Sequence, residues 1–181
     1  MIGKGKSISH GVAALEYDLA KEINGQAVAT EIARHELYGC TGAEMVQEMK
    51  PYHIDFPNVK NNCLRFEVSP SIEESATFTD ADWAELGNDF MQRMGLANHQ
   101  YIIIRHSGTE SKKEQAHLHI LANRVSLSGE LYRDNWIGKK ATEAANAIAK
   151  ERNFVQSQDI GKVNKAEIKE AMDDVLKKMQ G

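Results

Sequence analysis

The chain has 181 residues, 41% hydrophobic and 27% charged, which suits one globular domain or one domain with an appendage. It holds no run of about 18 apolar residues that would cross a membrane, and Met1 to Ser7 lacks the apolar core of a secretory signal. A formal net charge of −4 argues against a protein that coats nucleic acid through bulk electrostatics.

In chain order, a short segment over 1–8 precedes Val12, Leu15, Leu19 and Ile23, whose spacing predicts a helix over 11–23. Asn24-Gly25 is its stop signal. Residues 26–40 are ambiguous, and Ala27 to His35 fits either a helix or a strand. Thr41 followed by Glu44 matches a capping box, with Met45, Val46 and Met49 as the apolar face behind it. Pro51 and Pro57 mark 50–60 as an irregular excursion. Alternation over 63–70 predicts a strand with faces Leu64/Phe66/Val68 and Arg65/Glu67/Ser69. A cap-like Thr79 opens a helix through about Met94, ended by Gly95.

Strands follow at 100–106 and 116–125, joined by a polar loop at 107–115 short enough to favour antiparallel pairing. After a turn at Ser128-Gly129-Glu130 and an extended piece at 131–132, helices are predicted over 137–152 and 164–179, with a polar connector at 156–162. The expected architecture is α+β, an antiparallel sheet with helices packed on it. Cys40 and Cys63 are isolated thiols outside any CxxC or disulfide pattern, so a cytoplasmic location is expected.

The strand at 116–125 carries the most chemistry. Residues two apart on a strand share a face, so His117 and His119 stand side by side, with Asn123 further along that face. His106 ends the neighbouring run Tyr101-Ile102-Ile103-Ile104-Arg105. Three imidazoles can converge there, and burying them without partners would cost several kcal/mol. Neutral imidazole is a common ligand of divalent metals. Three ligands with an open position suit a catalytic rather than a structural site. The spacing alone leaves open hydration, oxygenation and phosphoryl chemistry. HExxH, GxSxG, P-loop and GxGxxG motifs are absent. Glu110 and Glu114 in the connecting loop read as solvated turn residues.

Phe90-Met91-Gln92-Arg93-Met94-Gly95-Leu96, the run Tyr101 to His106, and His117-Leu118-His119-Ile120-Leu121-Ala122-Asn123-Arg124-Val125 together resemble the relaxase/mobilisation nuclease family. This MobA-type family belongs to the HUH endonuclease superfamily. The opening Met1-Ile2-Gly3-Lys4-Gly5-Lys6-Ser7-Ile8-Ser9-His10 looks like relaxases of mobilisable elements from Bacteroides-type bacteria. The resemblance implies a sheet of about five antiparallel strands, ferredoxin-like in derivation, with helices packed on it and an extra C-terminal helix. It implies Mg²⁺ or Mn²⁺, or another divalent ion, held by His106, His117 and His119. Tyr17 matches the nucleophile that attacks a phosphodiester of single-stranded DNA at an origin of transfer, leaving a 5′-phosphotyrosine. His10 is the second candidate, since some relaxases use a histidine. Asn123 and Glu67 are expected beside the ligands, and Lys4, Lys6, Arg105 and Arg124 on DNA phosphates. Lys112 and Lys113 extend the basic flank.

Partners expected from the resemblance are the transfer-origin DNA, an accessory DNA-binding mobilisation protein, and a coupling protein reached through a further C-terminal region. Residues 1–155 are expected to form the nuclease domain and 156–181 a helical extension. Two other readings use the same histidines. A rolling-circle replication initiator would place its tyrosine downstream, where Tyr132 stands, and a non-catalytic DNA-binding module would hold a structural metal.

Overall fold

The computed structural model of the chain describes residues 1–111 and 115–180; Lys112, Lys113 and Glu114 of the expected basic and acidic loop groups lie outside the described residues. Five strands build the sheet: β1 Ile2–Ile8, β4 Ala29–His35, β5 Cys63–Ser69, β6 Tyr101–His106 and β7 His117–Asn123. Their order is β1-β5-β7-β6-β4, and every neighbouring pair is antiparallel. The expected α+β architecture is the one observed.

Alternation decides which face each side chain takes. Leu64, Phe66 and Val68 of β5, with Leu118, Ile120 and Ala122 of β7, pack under α4 (Asp80–Arg93) and α5 (Ile137–Glu151). On the other face, Ile8, Cys63, Ile102, Ile104 and Leu121 meet Ala14 and Leu15 of α1 (Gly11–Leu19) and Met45, Val46 and Met49 of α2 (Gly42–Met49). These two short helices leave part of their face uncovered. In that part stand His117, His119, Arg65, Glu67, Lys4 and Lys6, because each shares its face with the apolar residues two positions along.

Helix α2 starts with the expected capping box, Thr41 Oγ1 accepting from Glu44 N at 3.1 Å and Glu44 closing back on Thr41 N. Thr79 and Asp82 cap α4 in the same manner. Between α2 and β5 the excursion begins with a 3₁₀ turn, Lys50–His53.

The structure departs from the sequence expectations in some places and decides what they left open in others. The helix predicted over 11–23 ends at Leu19, and Asn24-Gly25 is instead the tip of a hairpin joining β2 (Glu22–Ile23) to β3 (Gln26–Ala27). Both tip residues have positive φ, 53° and 75°, as a two-residue type I′ turn requires. Of the two readings open for Ala27 to His35 the strand is observed, as β4 over Ala29–His35. Residues 1–8 form the edge strand β1. A one-turn helix α3, Ile72–Ser75, follows β5. Helix α6, Ser157–Gln180, already starts within the expected polar connector.

The edge strand β1 escaped the periodicity test because its core-facing slots hold Gly3 and Gly5. A Cβ at Gly3 would collide with the Ala141 carbonyl and lie 2.7 Å from Ala145 Cβ, and one at Gly5 would lie 2.7 Å from the Phe66 ring. Glycine there lets the alanine face of α5 (Ala141, Ala144, Ala145, Ala149) lie against the sheet backbone.

Candidate metal centre and nucleophile

Register brings the histidines together. His106 and His117 face each other across β6 and β7, and His119 stands two residues further along β7, opposite Ile104. Their ring centroids are 4.4 to 5.3 Å apart, and one nitrogen from each lies within 4.8 Å of the others. His106 and His117 are buried, at 3% and 6% exposure.

Hydrogen bonds orient the rings. A carbonyl can only accept, so His106 donates from Nε2 to the Asp18 carbonyl at 2.7 Å, and His117 donates from Nδ1 to the Gln115 carbonyl at 3.1 Å. In the neutral rings this leaves His106 Nδ1 and His117 Nε2 as lone pairs. His117 Nε2 lies 3.1 Å from His119 Nε2. Two nitrogens bound to one divalent ion at about 2.0–2.1 Å sit roughly 3 Å apart, so this pair already has a ligand separation. Burial lowers the His106 pKa, and burial together with the neighbouring His106, His117 and Arg65 pushes His119 down to about 2. Both rings are therefore neutral near pH 7, the form that ligates. The donor set fits a divalent ion.

Tyr17 lies on the last turn of α1 and is 57% exposed. It lines the same cleft as His106, His117 and His119, along with Lys21 and Glu110. Lys21 Nζ donates to the Tyr17 hydroxyl at 2.6 Å and is 3.7 Å from Glu110. The hydroxyl raises the Lys21 pKa above the usual lysine value, so a full ammonium stands beside the phenolic oxygen.

His10 lies elsewhere. It is exposed at the other end of α1, beside Lys50 and His53. Tyr132 lies outside the cleft too, its hydroxyl donating to the Met94 carbonyl at 3.0 Å. Asn123 occupies the opposite end of β7, fully buried, where its amide oxygen meets His53 at 2.8 Å and its nitrogen donates to Gln100 at 2.9 Å. Glu67 sits opposite His119 in the register and 3.5 Å from Lys4 Nζ. Lys4, Lys6, Arg65 and Glu67 line a second hollow that reaches His119.

Besides Lys4, two more of the expected DNA contacts have protein partners. Arg105 points to the α4 face and pairs with Asp80, while Arg124 holds Asp134, the Tyr132 carbonyl and the Asn61 carbonyl.

The sequence reading passed over Asp18, Lys21 and Arg65. Asp18 is 1% exposed, takes the place of an apolar residue on the buried Gly11/Ala14/Leu15 face of α1, and holds Arg65 in a forked pair. A charge at position i+7 of a buried stripe was the available signal. Lys21 carries none, because its spacing fits the helix expected over 11–23 while the structure puts it between α1 and the β2–β3 hairpin.

No curated protein matches the chain. The relaxase family, described as MobA/VirD2-like, nuclease domain, matches residues 17–154, a span that runs from Tyr17 through all three histidines. Nuclease domains of this family nick DNA in mobilisation and typically use a divalent metal, and by this match over most of its length the chain belongs to the relaxase family.

Proposed function

We propose that this protein nicks one strand of single-stranded DNA at an origin of transfer by tyrosine transesterification and so starts conjugative mobilisation. The observation that carries the reading is a tyrosine and three convergent histidines lining one cleft. His106, His117 and His119 would hold Mg²⁺ or Mn²⁺, which when bound supplies Lewis-acid polarisation of the scissile phosphodiester.

The protein's own groups do the remaining work. Tyr17 Oη attacks phosphorus in line, its bond to phosphorus forming as the bond to the 3′-oxygen breaks. The phenolic proton passes through solvent to the departing oxygen, leaving a 5′-phosphotyrosine and a free 3′-hydroxyl. One ester replaces another, so the step reverses for religation. Lys21, hydrogen-bonded to Tyr17 Oη, steadies the charge that develops on that oxygen. Lys4 and Lys6 are exposed on the open face next to His119 and are suited to the phosphates of the bound strand.

In this reading, residues 1–155 are the nuclease domain and 156–181 a helical extension. The protein works in the cytoplasm with an accessory mobilisation protein and a coupling protein. The test is incubation with end-labelled single-stranded origin DNA and Mn²⁺, followed by denaturing electrophoresis. A covalent protein–DNA product that disappears in Tyr17→Phe is expected. No cleaved or attached product with any origin strand would sink the enzymatic reading in favour of a DNA-binding module.

A further inference from the structure

The residue after the nucleophile reaches two of the three histidines. The Asp18 carbonyl accepts from His106 Nε2 at 2.7 Å. Its carboxylate receives Arg65 Nε at 3.1 Å and Nη2 at 2.5 Å, and stands 4.0 Å from His119 Nδ1. The ion pair with Arg65 offsets the cost of burying the acid. It does not account for where the acid sits, on the last turn of α1 with its carbonyl on His106 and its carboxylate beside His119.

His119 has a choice of tautomer. With its proton on Nε2 it donates to His117 Nε2 at 3.1 Å, and its Nδ1 accepts from Arg65 Nη2 at 3.5 Å. A ligand role for Nε2 moves the proton to Nδ1. There the Arg65 cation opposes it, and Asp18 is the carboxylate within 4.0 Å of that nitrogen among the described residues. A carboxylate that receives the second N–H of a ligating histidine fixes the ring and strengthens it as a ligand.

Resting on the metal reading above, we propose that Asp18 is a positioning residue for the metal centre. Its carboxylate selects the His119 tautomer that frees Nε2, its carbonyl fixes His106, and the turn carrying Tyr17 is thereby registered on the triad. Ion binding and nucleophile placement become one coupled event.

Calorimetric titration of the full chain with Mn²⁺ tests this, using wild type, H117A, D18N and the double variant D18N/R65Q. Mn²⁺ binding that is lost in H117A establishes the triad as the site. If wild type takes up no Mn²⁺, or H117A binds it equally well, the metal reading itself falls and this inference with it.

Given a working triad, both Asp18 variants are expected to bind Mn²⁺ about 10-fold to 100-fold more weakly. D18N leaves Arg65 without its counter-charge and should melt early, whereas the double variant, neutral at both positions, regains thermal stability. A merely structural role would return with that stability. Wild-type Mn²⁺ affinity in the refolded double variant therefore overturns the proposal. In wild type, Mn²⁺ should also slow amide exchange in the last turn of α1, and an exchange pattern unmoved by Mn²⁺ would overturn the coupling to Tyr17.

Discussion

At the level of single residues, the site divides into a part that the sequence displays and a part that it hides. His117 and His119 are legible because strand periodicity alone puts them on one face, and His106 because the short loop after it favours antiparallel return. Asp18 shows only as a charge in line with the buried stripe of α1, and Lys21 shows nothing, because its place depends on the hairpin that follows the helix. Their proposed roles separate by experiment. Tyr17→Phe removes the attacking oxygen and should reduce nicking by at least about a thousandfold while DNA affinity, measured by fluorescence anisotropy, stays near wild type. Lys21→Met keeps the nucleophile but removes the ammonium 2.6 Å from it. Its single-turnover rate should fall by on the order of a hundredfold, with little change in DNA affinity. An unchanged rate would remove Lys21 from the chemistry and leave Tyr17 in place.

At the level of elements, hydrophobic pattern found the strands and helices that bury large side chains and missed those that bury backbone. Strand β5 announces itself through Leu64, Phe66 and Val68, and α2 and α4 through their caps. Strand β1 has no such signature, since its contact with α5 is made by Gly3 and Gly5. The hairpin after α1 was misread for a different reason: Asn-Gly supplies positive φ equally to a helix end and to a type I′ turn. The glycine contact has a measurable consequence. Gly3→Val drives two methyl groups toward the Ala141 carbonyl and Ala145, and since backbone cannot step aside, strand and helix must part. A loss of about 1–3 kcal/mol is expected, read as a lower urea midpoint with unchanged slope. Because β1 carries Lys4 and Lys6 beside the open face, DNA affinity should weaken in parallel.

On the scale of the whole molecule, both clusters of buried apolar residues lie within residues 1–149, while α6 carries exposed charge and apolar surface. Ile168, Met172, Val175, Leu176 and Met179 are each more than half exposed, and the link to the body includes bonds from Ser157 to Asn146. A chain ending at residue 157 should therefore melt within a few degrees of the full chain in calorimetry. The body itself should be sensitive to acid. His99, His106 and His119 all have pKa values lowered chiefly by burial, His119 to about 2, while in the unfolded chain each titrates near 6.5, as a free histidine does. As pH falls through about 6.5 the unfolded state takes up protons that the fold refuses, so stability is complete above that pH and is lost progressively below it. With metal chelated, the urea midpoint should drop steadily between pH 7.5 and 5.5. Adding saturating Mn²⁺ should raise it at pH 7.5, since ligation adds a second reason to keep His106 and His119 unprotonated. The His99 share of the acid effect must persist with the ion bound, because His99 sits at the far end of the sheet, its Nδ1 donating to the Asn123 carbonyl at 2.8 Å. A midpoint that is flat with pH in the chelated protein would mean that His99, His106 and His119 accept protons without unfolding, and that their neutral form is not what the fold protects.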